Sequence, residues 1–187
     1  VDYFVRNKDK NLIIRAHPGE LLGNVPSSLT AGDYLKSIYP KLPKNIKFIS
    51  SFSSLNTYDL CRQSDVILVY SSKISIEMAT LGKPVIVSGE GWIKNKNITH
   101  DIKSSSEYEK YLDKNINLLN KKSKKNKLKS LKFAYFYFFK KMFKFNNIQY
   151  FKSKFPRYKA LVLNRTNNLV MENTLIDLVK TMIKNKD

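Results

Sequence analysis

A chain of 187 residues is long enough to bury one substantial core without cross-links, so it does not need the disulfide or metal staples of small scaffolds. Its single cysteine, Cys61, excludes an internal disulfide, and no apolar run approaches the roughly 20 residues that span a bilayer. Lys and Arg number 34 against 15 Asp and Glu, a net charge of +19. Residues 1–101 carry +4 of this and residues 102–187 carry +15, so the excess marks the second part of the chain as a partner for polyanions or as a plain solvated surface.

The chain begins at Val1 and enters an apolar run almost at once, with none of the ordered charged, apolar and small-residue regions of a signal peptide. The expectation is a piece of a longer, cytoplasmic protein with a partner domain on its amino-terminal side. Residues 11–15 (NLIIR), 46–49, 65–70 (DVILVY) and 84–88 (PVIVS) are short continuous apolar runs of the kind buried on both faces of a parallel sheet. Amphipathic runs at 29–39, 57–64 and 74–81 alternate with them as helices. This order predicts an α/β fold, a doubly wound parallel sheet with ligands beyond the carboxyl ends of the strands. The segments there are Ala16-His17-Pro18-Gly19-Glu20, Ser71-Ser72-Lys73 and Gly89-Glu90-Gly91-Trp92.

Beyond residue 101 the pattern changes. Residues 104–119 predict a helix capped by Ser105 or Ser106, and 120–129 a lysine-rich linker with little to bury. Residues 131–143 (LKFAYFYFFKKMF) are aromatic on every side, so a helix there has to be sheltered: by this domain's core, by the missing domain or by a membrane surface. Residues 146–165 fit neither template, and 172–183 predict a closing helix. The expected organisation is a domain over 1–119 and a basic, aromatic helical tail over 120–187.

Several positions offer chemistry. Ser71 and Ser72 lie where a strand gives way to a helix, where free N–H groups and hydroxyls suit a phosphate, the alternative being that one serine caps the helix. Pro18 fixes the chain beside His17, whose imidazole suits a phosphate contact or protonation of a leaving group, although a loop histidine is commonly incidental. Glu77, one turn after Lys73, suits either a surface pair with that lysine or ribose hydroxyls. Gly82-Lys83-Pro84 reads as a helix stop and a strand start. Cys61, His17 and His100 give no zinc pattern, and dinucleotide, P-loop and nucleophile-elbow motifs are absent.

The ordered strings LIIRAHPGE (12–20), LPKNIKFI, NTYDL (56–60), VYSSKISIEMATLGKPVIVSG (69–89), ITHD (98–101) with SSSEYEKYL, and the aromatic AYFYFF (134–139) resemble the capsule polysaccharide synthesis family that includes bacterial β-Kdo transferases. The resemblance covers residues 11–143. It implies the carboxyl-terminal, Rossmann-like half of a GT-B glycosyltransferase, binding a nucleotide-sugar donor such as CMP-Kdo through His17, Pro18, Glu20, Ser71, Ser72, Ser75, Glu77 and Gly89. No DxD-like pair stands on the rim, so no metal is expected, and no cofactor beyond the nucleotide-sugar. A glycan or lipid-linked acceptor and the catalytic base are expected on the missing amino-terminal domain, with His17 the candidate for catalysis on this chain. The histidine and serine pair are also similar to those of CMP-sugar-using sialyltransferases, and would meet the donor phosphate together. Lys73-Ile74-Ser75 and Trp92-Ile93-Lys94 depart from the family's pattern and leave the donor's identity open. A CDP-glycerol-type glycerophosphotransferase and a basic polyanion-binding module are the competing readings. An anionic membrane surface fits the basic tail, while no nucleic-acid motif is present.

Overall fold

The computed structural model describes residues 1–22, 27–114, 116–142, 149–152 and 158–161. The protein is a mixed α/β chain of small parallel sheets and several helices, and it divides into two compact units, Val1–Ser53 with Met142–Asp187, and Ser54–Lys141.

In the first unit, α1 (Asp2–Arg6) buries Tyr3 and Phe4, whose rings meet edge to face at 5.3 Å. β1 (Leu12–Arg15) and β2 (Ile46–Ile49) pair in parallel from Leu12 opposite Ile46 to Arg15 opposite Ile49. The side-chain amide of Asn45 donates to the carbonyls of Phe4 (2.9 Å) and Lys10 (2.8 Å), tying α1 to the start of both strands. Between the strands lie α2 (Gly19–Leu22) and α3 (Ala31–Ile38), the latter capped by Thr30, whose hydroxyl accepts from the Asp33 amide at 3.1 Å.

The second unit opens with α4 (Thr57–Gln63), capped by the Asn56 side chain, and leads into β3 (Ile67–Val69), α5 (Ile74–Thr80) and β4 (Val85–Val87). β4 is central in the sheet, parallel to β3 on one side and to the two-residue β5 (His100–Asp101) on the other. All three β4 residues are buried, as a strand flanked by two others and covered by side chains requires. Ile67, Ile76, Met78, Val85, Val87, Ile93 and Ile98 make the core, each full burial contributing about 1.5–3 kcal/mol before the entropy of ordering is subtracted.

The predicted helix stop at Gly82 is present. Gly82 takes a left-handed φ of 76°, its N–H bonds Ala79 O at 3.0 Å, and the Lys83 N–H bonds Met78 O at 3.1 Å. That paired closure satisfies two orphan carbonyls of α5, and a Cβ at this φ would be strained. The Lys83 ammonium then donates to the carbonyl of Ser64 at 2.8 Å, closing the end of α4.

The four predicted strands all form, each pairing in parallel, but the ladders belong to two separate sheets rather than one, and β5 adds a strand that the sequence did not signal. Two further expectations change. The predicted helix over 104–119 is two helices, α6 (Ser105–Asp113) and α7 (Ile116–Lys125), because Lys114 turns extended at φ −62°, ψ 145°. Its cap is Ser104, not Ser105 or Ser106: the Ser104 hydroxyl accepts from the Glu107 amide at 3.2 Å, while the Glu107 carboxylate reaches back to the Lys103 amide at 2.8 Å.

The lysine-rich segment 120–129 is not a linker but parts of α7 and α8 (Lys127–Tyr135). Little apolar surface was visible there, yet a narrow stripe suffices: Leu119, Ser123 and Ser130 are buried while the lysines point to water. Small serines allow close approach, and Ser130 returns its hydroxyl to the Asn126 carbonyl at 3.0 Å. A π-helical turn, Phe136–Lys140, continues α8. Phe133, Ala134, Tyr137 and Phe138 pack on the core, so the aromatic segment is sheltered on one face. Leu131, Tyr135, Phe136 and Phe139 remain exposed, against the expectation of shelter all round. β6 (Gln149–Lys152) and β7 (Tyr158–Leu161) form an antiparallel pair within the segment assigned to neither template. The predicted helix over 172–183 lies outside the described residues, as does residue 143.

Candidate functional site

In the second unit the carboxyl ends of β3 and β4 meet. The Ser88 amide and hydroxyl both donate to Val69 O, at 3.0 and 3.2 Å, and the Gly89 amide donates to Tyr70 O at 2.8 Å. This closeness leaves no room for a side chain at Gly89: a Cβ there would lie 2.7 Å from Tyr70 O and 2.8 Å from its ring. Gly89 is therefore required by packing of the two strand ends, whatever else it does.

Past β3 the chain runs Tyr70-Ser71-Ser72-Lys73 into α5, with all four side chains exposed. Neither serine hydroxyl hydrogen-bonds to a described residue, so the capping alternative does not apply. The turn is held from beneath by Ser75, whose amide and hydroxyl donate to Ser72 O at 3.1 and 2.6 Å. Ser75 is buried, so its hydroxyl supports the loop and is spent on it. Lys73 does not pair with Glu77. Its ammonium stands 6.0 Å from the ring centroid of Trp92, which in turn leans on Tyr137 at 5.4 Å. A Cβ on Gly91 would come within 3.7 Å of the Ser71 hydroxyl, which places the glycine loop alongside the serines.

One rim thus gathers Ser71, Ser72, Lys73, Gly89, Gly91 and Trp92. The sequence places all of these on the rim, but it gives Lys73 a role only as a partner for Glu77 and Trp92 none. The rim shared by Lys73 and Trp92 was legible, but their direct contact was not, since they are 19 residues apart and follow different strands.

Glu77 lines a cavity of about 330 Å³ with Thr80, Leu131, Ala134, Tyr135, Phe138 and Phe139. Its charge, and a hydrogen bond to it, raise the pKa of the Tyr58 phenol. Burial, more than its neighbours, raises the Cys61 thiol as well, so this cysteine is kept protonated rather than activated.

Residues 95–99 form a loop that leads into β5 and is closed by it. The Asp101 carboxylate accepts from the Asn95 amide and the Thr99 hydroxyl, each at 2.6 Å, while Asn95 and Asn97 take left-handed φ values of 61° and 54° that asparagine tolerates well. The Asn126 amide holds the loop to α8 through Asn97 O at 3.0 Å. His100 is 3% exposed, 5.3 Å from the Tyr111 ring, with Nδ1 buried and unpartnered among the described residues. Burial first, then the charges of Lys122 and Lys114, push its pKa down to about 4, so the imidazole is neutral.

In the first unit, His17 is exposed past β1 and its Nδ1 accepts from the Gly19 amide at 3.0 Å. A Cβ on Gly19 would stand 2.9 Å from that nitrogen, so the glycine permits the turn of the ring. Pro18 is half-buried between them. Glu20 has both oxygens engaged: one accepts from the Ala31 amide at the start of α3, the other from the buried Ser51 hydroxyl at 2.8 Å. This carboxylate joins the loops after β1 and β2. Arg15, at the end of β1, donates to the carbonyls of Ser50 and Ser53 and braces the same turn. His17, Pro18 and Glu20 belong to this unit, and Ser71, Ser72, Ser75, Glu77 and Gly89 to the other.

Among the described residues no three His, Cys, Asp or Glu side chains cluster as metal ligands, and no helix is long and apolar enough to cross a membrane. No protein-family model and no curated protein matches the chain.

Proposed function

We propose that this chain carries the donor-binding part of a glycosyltransferase resembling the capsule polysaccharide type, with the β3–β4 rim taking a nucleotide-sugar. The supporting observation is the meeting, at one rim, of two unpartnered hydroxyls, an ammonium group and an exposed indole beside a glycine loop. A diester or pyrophosphate accepts hydrogen bonds from hydroxyls and draws an ammonium group, roughly doubling the strength of a neutral bond. The Trp92 face suits stacking of a base or sugar ring, with Lys73 near enough to add a cation–π contribution. Gly91 keeps the approach to Ser71 open.

In this reading the fold is a Rossmann-like half of a GT-B enzyme, and the acceptor and catalytic base belong to another domain. The donor class places the reaction in the cytoplasm. CMP is the first candidate nucleotide because of the resemblance.

Thermal unfolding with CMP, CDP, UDP and GDP, and with single-stranded DNA as control, tests the reading. A nucleotide at 100 times its dissociation constant stabilises the folded state by about 2.7 kcal/mol. The shift should be absent with DNA and reduced in Ser71→Ala/Ser72→Ala and in Trp92→Ala, and the chain alone should transfer no sugar. Equal stabilisation of wild type and both variants, or none by any nucleotide at millimolar concentration, rejects the rim as a donor site. Stabilisation by CDP alone would favour the glycerophosphotransferase alternative.

A further inference from the structure

The second unit displays an exposed apolar stripe, part of which lines the open cavity beside Glu77 and Thr80. Along α8 and the π-helical turn, Leu128, Leu131, Tyr135 and Phe139 recur at intervals of three and four residues on one face, between 46% and 71% exposed. Phe133 and Tyr137, on the other side of the helix, pack on the core. Continuous apolar exposure at helical spacing marks a contact surface rather than scattered surface residues. Tyr135 and Phe139 stack at 5.6 Å, forming a preassembled aromatic ledge.

Lysines dominate the charge around this stripe, although Glu77 lines the cavity beside Leu131, Tyr135 and Phe139. Residues 114–141 contain ten lysines and no aspartate or glutamate. Two of the ammonium groups are held at the level of the exposed rings, Lys140 at 5.7 Å from the Tyr135 centroid and Lys141 at 5.4 Å from that of Phe136. Aromatic rings with lysines at the same height suit the boundary between headgroups and acyl chains, where rings enter the apolar layer and ammonium groups meet phosphates.

We propose that this face docks on an anionic lipid bilayer surface. Charge complementarity selects that occupant. A second copy of the chain would set ten lysines against ten, and a nucleic acid would meet the lysines but leave Leu128 and Leu131 without an apolar partner. The proposal is independent of the nucleotide-sugar reading, because the stripe shares no residue with the β3–β4 rim.

Co-sedimentation of the full chain with sucrose-loaded vesicles tests it. Binding is expected to phosphatidylglycerol–phosphatidylcholine vesicles and not to phosphatidylcholine alone, and to weaken at 1 M salt, where the screening length falls to about 3 Å. Phe139→Ser should lower the partition coefficient about tenfold or more, the loss expected for one buried aromatic side chain. Replacing Lys132, Lys140 and Lys141 by Gln should lower it roughly fivefold per lysine. An unchanged melting temperature and unchanged Trp92 fluorescence confirm that these variants fold. If Phe139→Ser fails to fold, Phe139→Trp in a Trp92→Phe background should show a blue shift and quenching by brominated lipid with anionic vesicles only. The proposal is overturned by no binding to anionic vesicles, or by binding that Phe139→Ser or the tryptophan reporter does not register, which would be charge alone. Phe139-dependent binding to an oligonucleotide, or Phe139-dependent self-association without vesicle binding, overturns it equally.

Discussion

Acid should destabilise the 54–141 unit through His100. The imidazole is held neutral by burial against Tyr111 and by Lys122 and Lys114, with only Asp101 acting the other way, and its pKa is lowered to about 4 from 6.5. Below pH 6.5 the unfolded chain takes up a proton that the folded chain refuses until about pH 4. The contribution of the neutral imidazole is therefore complete above pH 6.5 and is lost progressively as pH falls towards 4. At about 1.4 kcal/mol per pH unit, a gap of about 2.5 units gives a loss of about 3 kcal/mol at most. Urea unfolding followed by the single tryptophan, Trp92, reports on this unit, and pH 7.5, 6.5, 5.5 and 4.5 bracket the window. Comparison with His100→Phe, which keeps a ring against Tyr111 but has nothing to titrate, cancels the carboxylates common to both. The stability difference between wild type and variant should move by about 2–3 kcal/mol against the wild type between pH 7.5 and 4.5. Lys122→Gln should narrow that loss by letting the imidazole titrate higher. Parallel pH curves for wild type and His100→Phe would refute the argument, as would a His100 resonance, assigned by its loss in His100→Phe, titrating near 6.5 in place of 4.

Three further outcomes are expected. Gly89→Ala, forcing a Cβ to 2.7 Å from Tyr70 O, should cost about 1–3 kcal/mol, whereas Gly91→Ala, with its nearest neighbour at 3.7 Å, should stay within about 0.5 kcal/mol in the same denaturant titration. Ser75→Ala should lower the melting temperature, since removing the buried hydroxyl withdraws one donor from Ser72 O and costs about 1 kcal/mol, while Ser72→Ala should leave it unchanged and weaken nucleotide binding only. Ser104→Ala should cost about 1 kcal/mol and lower helix content by circular dichroism, with Ser105→Ala near neutral.

Periodicity and composition alone determined the order of the first four strands and of α3, α4 and α5 among them, though not the short α2, because continuous apolar runs bounded by polar breaks have few other local solutions. The helix stop at Gly82 was equally legible, since a glycine followed by proline two residues on fits a left-handed closure. The cap was misplaced at Ser105 or Ser106 although its signal was present: Ser104 is the serine three residues before Glu107, the spacing that lets each serve the other's amide. Only the tertiary structure decided which strands share a ladder, because pairing depends on partners that no run of residues names; it split four similar strands into two sheets and recruited His100–Asp101 as an edge. It also turned a lysine-rich stretch into helices by burying Leu119, Ser123 and Ser130, a stripe too thin for composition to register. At the candidate site the sequence located hydroxyls and glycines by their positions after strands. The structure alone assigned Ser75 and Glu20 to bracing loops, and brought Lys73 beside Trp92, since contacts between loops on neighbouring strands are fixed by the sheet that carries them and not by their spacing along the chain.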